Sequence, residues 1–150
     1  MDPNAVYGEI EQVLGQVPVF LKLIPQDELE REWSLFKRVE LEENVIPNKY
    51  RELIGLGISA VAKCRYCALF HAEAAKLFGA TDAELESAVR YAKNSAGWSA
   101  YLNGMQVDYP VFKREVGEIM AFVSAHASGM GAQPAVDVSA DAKTTPVHIQ

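Results

Sequence analysis

Between residues 47 and 79 the chain carries two consecutive helical segments with room for only a short turn between them. The second holds the only two cysteines of the chain and a histidine, in the order Cys64-Arg65-Tyr66-Cys67-Ala68-Leu69-Phe70-His71. An α-helix turns by about 100° per residue, so positions three, four and seven apart share a side. Cys64, Cys67 and His71 therefore fall on one stripe with Ala68 and Ala75 beside it, and Gly79 stands where a C-cap glycine is expected. The first segment starts at Pro47 and runs through Ala62, and its later half, Leu53-Ile54-Gly55-Leu56-Gly57-Ile58, is apolar all round. Such a helix belongs in the middle of a bundle or at a subunit contact. Gly55 and Gly57 lower helix propensity, which predicts close backbone packing at both.

The rest of the chain reads as helices as well. Asp2 can cap a first helix that has Pro3 at its first position and ends near Gly15. Residues 17–24 form a short apolar piece between prolines, long enough for one or two turns. Asp27 is expected to cap the next helix, with Glu30 completing a capping-box-like pair and Leu29, Trp33, Phe36 and Val39 as its apolar stripe. Asn44 to Pro47 breaks it. Beyond the cysteine helix, Thr81-Asp82-Ala83-Glu84 is a capping box for a helix over 82–94. Residues 95–104 look helical but weakened by Gly97. Pro110 opens a last amphipathic helix, with Phe112, Val116, Ile119, Met120 and Val123 expected inward. No run of alternating strand residues and no internal repeat is present. The expectation is an all-α helical bundle, a single domain over 1–127, followed by a tail over 128–150 that is disordered or draped on a neighbour.

Charge and length narrow the classes of function. The chain has 150 residues, enough for one domain with a sizeable core. Its formal charge is −6, and residues 27–43 carry seven acidic side chains against three basic ones. Phosphate neutralisation needs a basic stripe, so nucleic acid is excluded as a partner. The apolar run 53–62 is far shorter than the roughly 20 residues that span a bilayer, and Asp2-Pro3-Asn4 reads as a helix start rather than a leader. Two cysteines three apart are not a secreted disulfide framework. These features predict a cytoplasmic protein without a membrane or cofactor requirement.

If the two central helices form an antiparallel hairpin, positions 52 and 71 are equidistant from its turn and lie level. Glu52 is also the last charge before the apolar run, so it can orient and charge His71, which can take a proton from Cys67 one turn away. The thiolate is the reactive form of cysteine, and an imidazolium or a helix N-terminus lowers the thiol pKa. The helix dipole favours Cys64 as the thiolate, and proximity to His71 favours Cys67. Oxidation of either sulfur leaves the other close enough for a disulfide, the chemistry of thiol–disulfide exchange or peroxide reduction.

The pattern of Glu52, Cys64-x-x-Cys67 and His71, set in two apolar helices over residues 47–91, resembles the core motif of the alkylhydroperoxidase D (AhpD) family within the wider carboxymuconolactone decarboxylase-like superfamily. The resemblance implies an all-helical fold, assembly into dimers, trimers or hexamers of small subunits, and a thiol-dependent peroxidase or disulfide reductase activity served by an external thiol or protein dithiol. It implies that Cys67 attacks the peroxide, that Cys64 is its disulfide partner and the contact for the reductant, and that His71 and Glu52 are the proton relay. In the best-studied members a second histidine precedes the second cysteine; here that position is Tyr66, whose phenol, with a pKa near about 10, can donate a hydrogen bond but cannot share a proton at neutral pH. The decarboxylase branch is implied to lack the cysteine pair, which disfavours that activity.

Other readings of the same residues stand beside this one. Lone buried cysteines are often inert small hydrophobes. A zinc site of Cys64, Cys67, His71 and Glu52 would need three donors spread over two helical turns to converge tetrahedrally, and a non-catalytic scaffold would keep the fold without turnover. His126 and His148 read as surface residues. Trp98 and Tyr101 are expected in core packing before the lining of an apolar substrate pocket.

Overall fold

The structure is a computed structural model and describes residues 2–126; the expected tail over 128–150 and His148 lie outside the described residues. It is all-α, with no strand among the described residues. The helices are α1 (Pro3–Leu14), α2 (Val19–Lys22), α3 (Leu29–Phe36), α4 (Asn48–Ala62), α5 (Arg65–Leu77), α6 (Asp82–Gly104) and α7 (Tyr109–His126), with a π-helical turn over Lys37–Leu41 directly after α3. The chain divides into two compact units, Met1–Tyr50 and Arg51–Gln150.

In the first unit the local signals act as expected at α1: the Asp2 carboxylate accepts from the amide of Asn4, and Gly15 ends the helix at φ 76°. Its core is Val6 and Ile10 of α1, Leu21 of α2, and Leu29 and Trp33 of α3, with Trp33 stacked on Phe36 at 5.8 Å. Two expectations fail here. Asp27 does not cap α3, which begins at Leu29 behind Glu28 with no side-chain cap. The carbonyl of Pro25 instead accepts the amides of Glu28 and Leu29, both at 3.0 Å, so a backbone turn leads into the helix without help from the Asp27 carboxylate. Val39 is not part of the buried stripe either; it is exposed, and Leu41 packs on the core in its place. The cause is the π turn, whose i→i+5 bonding takes up an extra residue and brings position 41, five beyond Phe36, to the face that position 39 or 40 would occupy in an unbroken α-helix.

The second unit holds the site. Lys63 leaves α4 at φ 56°, and α5 begins two residues later at Arg65. The core here is Leu56 of α4, Ala72 and Ala75 of α5 and Leu85 of α6, with Leu53, Ala68 and Ala80 packed against it. At the end of α5, Gly79 takes φ 84° while the amide of Ala80 reaches back to the carbonyl of Ala75 at 2.9 Å, a Schellman-type close. Thr81 and Glu84 make both bonds of the capping box. The helix they start does not stop at residue 94; it is continuous through Gly97 to Gly104. One glycine costs about 1 kcal/mol of helix propensity, too little to end a helix with a firm start and many turns on either side. The expected inward face of α7 is also corrected: Phe112 is half-buried, but Val116, Ile119, Met120 and Val123 are all exposed in the single chain. Trp98 and Tyr101 are exposed likewise, paired edge to face at 5.9 Å, so they are not core.

Candidate functional site

The turn between α4 and α5 does two jobs at Cys64. Its amide donates to the carbonyl of Ser59 at 3.0 Å, closing the end of α4. Its side chain is the N-cap of α5: with an extended backbone (φ −93°, ψ 98°), the Sγ accepts from the amide of Cys67 at 3.3 Å. Ser, Thr, Asp and Asn usually fill this position because an oxygen there satisfies orphan helix amides, and here a sulfur does so. The stripe read from sequence is therefore slightly different in kind. Cys64 sits just outside the helix that Cys67 and His71 belong to, facing its amide end.

The two thiols are consequently unlike. Both are free. The Cys64 thiol is held below the ordinary thiol range, first by the S–H of Cys67 donating to it, then by the amide of Cys67, with a smaller share from the amide of Tyr66. The Cys67 thiol is pushed up, because it gives its proton to Cys64, because of partial desolvation and because the neighbouring Cys64 charge opposes its own. A sulfur facing several N–H groups at a helix start is stabilised as the anion.

Glu52 and His71 meet as the hairpin geometry requires. The Nδ1 of His71 donates to Oε2 of Glu52 at 2.7 Å, from a carboxylate that is 2% exposed. Glu52 is therefore a buried carboxylate and not a solvated one. With Nδ1 engaged, Nε2 is the ring nitrogen left for proton exchange with a third group. Gly55, one turn after Glu52 on α4, makes the approach possible: a Cβ built there would lie 2.6 Å from Cε1 and Nδ1 of His71. At Gly57 a built Cβ would make only ordinary contact, 3.5 Å from that of Ala92 on α6. Close backbone packing was expected at both glycines; at Gly55 the close neighbour is a side chain and at Gly57 the spacing is ordinary. That a side chain, the imidazole, fills the space at Gly55 was not legible from sequence.

The phenol of Tyr66 is turned out to solvent, 73% exposed, accepting from the guanidinium of Arg65 at 3.1 Å with that group 4.9 Å from the ring centroid. What Tyr66 supplies at the sulfurs is its amide. His126 is exposed, as expected, and its Nδ1 donates to the Phe122 carbonyl at 2.8 Å. Cys64 is paired with Cys67 and Glu52 with His71, but among the described residues these four do not gather their donor atoms into one metal-binding set. The residues missed from sequence are Ser59, whose carbonyl anchors the Cys64 amide, and Arg65, which takes Tyr66 outward; neither belongs to a motif that would have flagged it.

Known proteins resemble the chain in the region that carries these residues. Residues 27–108, more than half of the chain, match the model of the Carboxymuconolactone decarboxylase family. Among solved structures, the alkylhydroperoxidase AhpD core from Rhodospirillum rubrum is similar with a TM-score of 0.63 at 27% identity, covering 71% of this chain and 82% of that one. No curated protein matches. The matched span takes in α3 to α6 and with them Glu52, Cys64, Cys67 and His71.

Proposed function

We propose that the chain, which belongs to the carboxymuconolactone decarboxylase family, is a thiol-dependent peroxidase that reduces alkyl hydroperoxides through a Cys64–Cys67 dithiol/disulfide cycle. The observation that carries this reading is the pair of free thiols at the start of α5, with the Cys64 sulfur accepting from the Cys67 amide at 3.3 Å, in the same hairpin as the Glu52-bound His71. A thiolate attacks the terminal oxygen of the hydroperoxide; the S–O bond forms, the O–O bond breaks, and the alkoxide leaves and is protonated to the alcohol. The second thiol loses its proton and attacks the sulfenic acid, forming the disulfide and releasing water. An external thiol or protein dithiol then returns both cysteines to the reduced form by exchange. His71 accepts and delivers the protons, and Glu52 is a positioning residue that fixes the ring through its Nδ1. A lactone decarboxylation would leave both thiols without a role.

The likeness to the AhpD core supports the peroxidase reading, and the exposed apolar side chains support assembly. Ile54, Ile58 and Val61 form an uncovered stripe along α4, with Ile58 64% exposed, and α7 buries no residue. Stripes of this size on one chain mark protein contacts, here with further copies of the same chain. No helix is long and apolar enough to cross a membrane, and the reaction is assigned to the cytoplasm, where thiol reductants keep the pair reduced.

One equivalent of an organic hydroperoxide added to the reduced protein should remove both thiols and lower the intact mass by about two daltons, the signature of an internal disulfide. Two thiols that survive the peroxide would refute the reading. Glu52→Gln should keep the helical content, lower the rate and move its pH profile; an unchanged profile would assign Glu52 a structural role only.

A further inference from the structure

We propose that Lys63 is a specificity-determining residue for the reduction half of the cycle, favouring a thiol reductant that carries negative charge beside its sulfur. This role rests on the dithiol/disulfide chemistry proposed above and adds a chemical class of reductant to it. Lys63 is the residue on which α4 turns into α5. Its amide donates to the Ala60 carbonyl at 3.3 Å and that of Cys64 to the Ser59 carbonyl at 3.0 Å, the two bonds of a Schellman close. Such a close needs a left-handed residue, and Lys63 supplies it at φ 56°. A side chain makes that conformation costly, and glycine is the usual occupant. The chain uses glycine in left-handed helix ends at Gly15, φ 76°, and Gly79, φ 84°. Gln106, at φ 53° after α6, is the other non-glycine case among the described residues, and it carries no charge. At the turn that leads into the cysteines the chain keeps a lysine. Strain retained next to reacting groups points to a use for the side chain, and here that side chain is an exposed cation, the chain neighbour of Cys64.

The charge at this turn is left available. Arg31, Lys76, Arg90 and Arg114 each stand beside a carboxylate, at 3.1, 3.3, 3.5 and 3.7 Å. Among the described residues neither Lys63 nor Arg65, the two cations that bracket Cys64 in the chain, pairs with a carboxylate; Arg65 is held instead by the hydroxyl and the ring of Tyr66. Tyr66 thus keeps a second positive charge at the same turn. In a chain with a formal charge of −6, this is a local positive spot where a reductant must make contact. A hydroperoxide is neutral and gains little from it, whereas a thiol attacks as its anion. In reduction the first thiolate attacks one sulfur of the disulfide, a mixed disulfide forms, and the other cysteine leaves as thiolate. A second thiolate attacks the reductant's sulfur and releases the remaining cysteine. Both cysteines take up the protons that the two reductant thiols gave up, and the reductant ends as its own disulfide. A cation beside these sulfurs favours each approaching anion, and more so one with a further negative charge.

Reduction of the oxidised protein by 2-mercaptoethanesulfonate and by cysteamine, each rate divided by its thiolate concentration, tests this. The sulfonate adds a negative charge to the thiolate and the ammonium a positive one. Across about 6 Å of water each unit of charge is worth roughly a threefold change in rate, so Lys63→Gln should lower the sulfonate-to-ammonium ratio by roughly tenfold at low salt. Lys63→Arg should keep the ratio, and added salt should compress it in the wild type. Lys63→Gly should lose it while raising the urea midpoint, because the left-handed turn then carries no side chain. A lysine kept only to cap α4 would instead lose stability on substitution and leave the ratio unchanged. An unchanged ratio in Lys63→Gln overturns the assignment, as does a wild-type ratio no larger than that measured on hydroxyethyl disulfide. The protein disulfide is prepared with diamide as well as with cumene hydroperoxide. If diamide alone forms it, the peroxidase reading fails and the ratio still decides the role of Lys63; a protein that forms no disulfide with either overturns both.

Discussion

The unit Met1–Tyr50 closes around large side chains, with Ile10, Leu29 and Trp33 almost wholly removed from water, whereas the buried positions that follow in α4 and α5 are Glu52, Leu56, Ser59, Ala72 and Ala75. The first unit is a packing solution: bulky apolar groups from three helices fill one centre, and Lys37 lies over the Trp33 ring while pairing with Glu9. The second is a proximity solution. Glycine and alanine let helices approach until a carboxylate and an imidazole can be buried against each other, and a cysteine can serve as a helix cap. The same small residues bury little apolar area, and the stripes of α4 and α7 are left uncovered in the single chain. Chemistry and self-sufficient packing are placed in different parts of the chain.

Four substitutions test this contrast, from the largest expected effect downward. Trp33→Ala should cost about 3–5 kcal/mol by removing a buried indole from a core built on it, read as a lower urea midpoint; a loss under about 1 kcal/mol would mean that the first unit does not depend on large-residue packing. Gly55→Ala should leave the fold in place but swing His71 off Glu52, since the new Cβ would lie 2.6 Å from the ring. Peroxide turnover should fall by roughly 10²-fold, as misplacement by about 1 Å commonly costs; full activity would show that the close approach has no catalytic purpose. Thr81→Ala should cost about 1 kcal/mol of stability by removing one half of the capping box. Gly57→Ala should be neutral to stabilising by up to about 1 kcal/mol, because its Cβ meets only ordinary contact at 3.5 Å. A loss there would mean that both glycines are held by space.

A pH titration gives the smallest effect. The Lys37 ammonium bonded to Glu9 holds that carboxyl below its usual range. A carboxyl with a depressed folded pKa contributes stability above its unfolded pKa of about 4.5 and loses it as pH falls through the lower folded value. Glu9→Gln should therefore be slightly less stable than the wild type above about pH 4.5, with the difference closing as pH falls and Glu9 of the wild type is protonated; identical curves throughout would show that the pair adds nothing to the first unit.

Signals that depend on neighbours in the chain were the legible ones. The start of α1 at Asp2 and Pro3, the close at Gly79, the capping box at Thr81 and Glu84, and the level placement of Glu52 and His71 all follow from helical geometry and local hydrogen bonding. Where a local signal met a competing arrangement it misled. Asp27 lost the entrance of α3 to the carbonyl of Pro25, Val39 lost its face to a π turn, and Gly97 was too weak to interrupt α6. The apolar side of α7 was legible as apolar, but periodicity does not say whether the covering surface lies in the same chain.

The amino-acid order alone determined that the chain is helical and that two thiols, an imidazole and a carboxylate fall on two consecutive helical segments, because period and spacing are properties of the chain itself. Only the tertiary structure decided that the space at Gly55 belongs to His71, that Tyr66 points away, and that Cys64 is a cap while Cys67 lies within the helix. Those facts depend on which group reaches a given amide or cavity first, and that competition is settled by packing between elements.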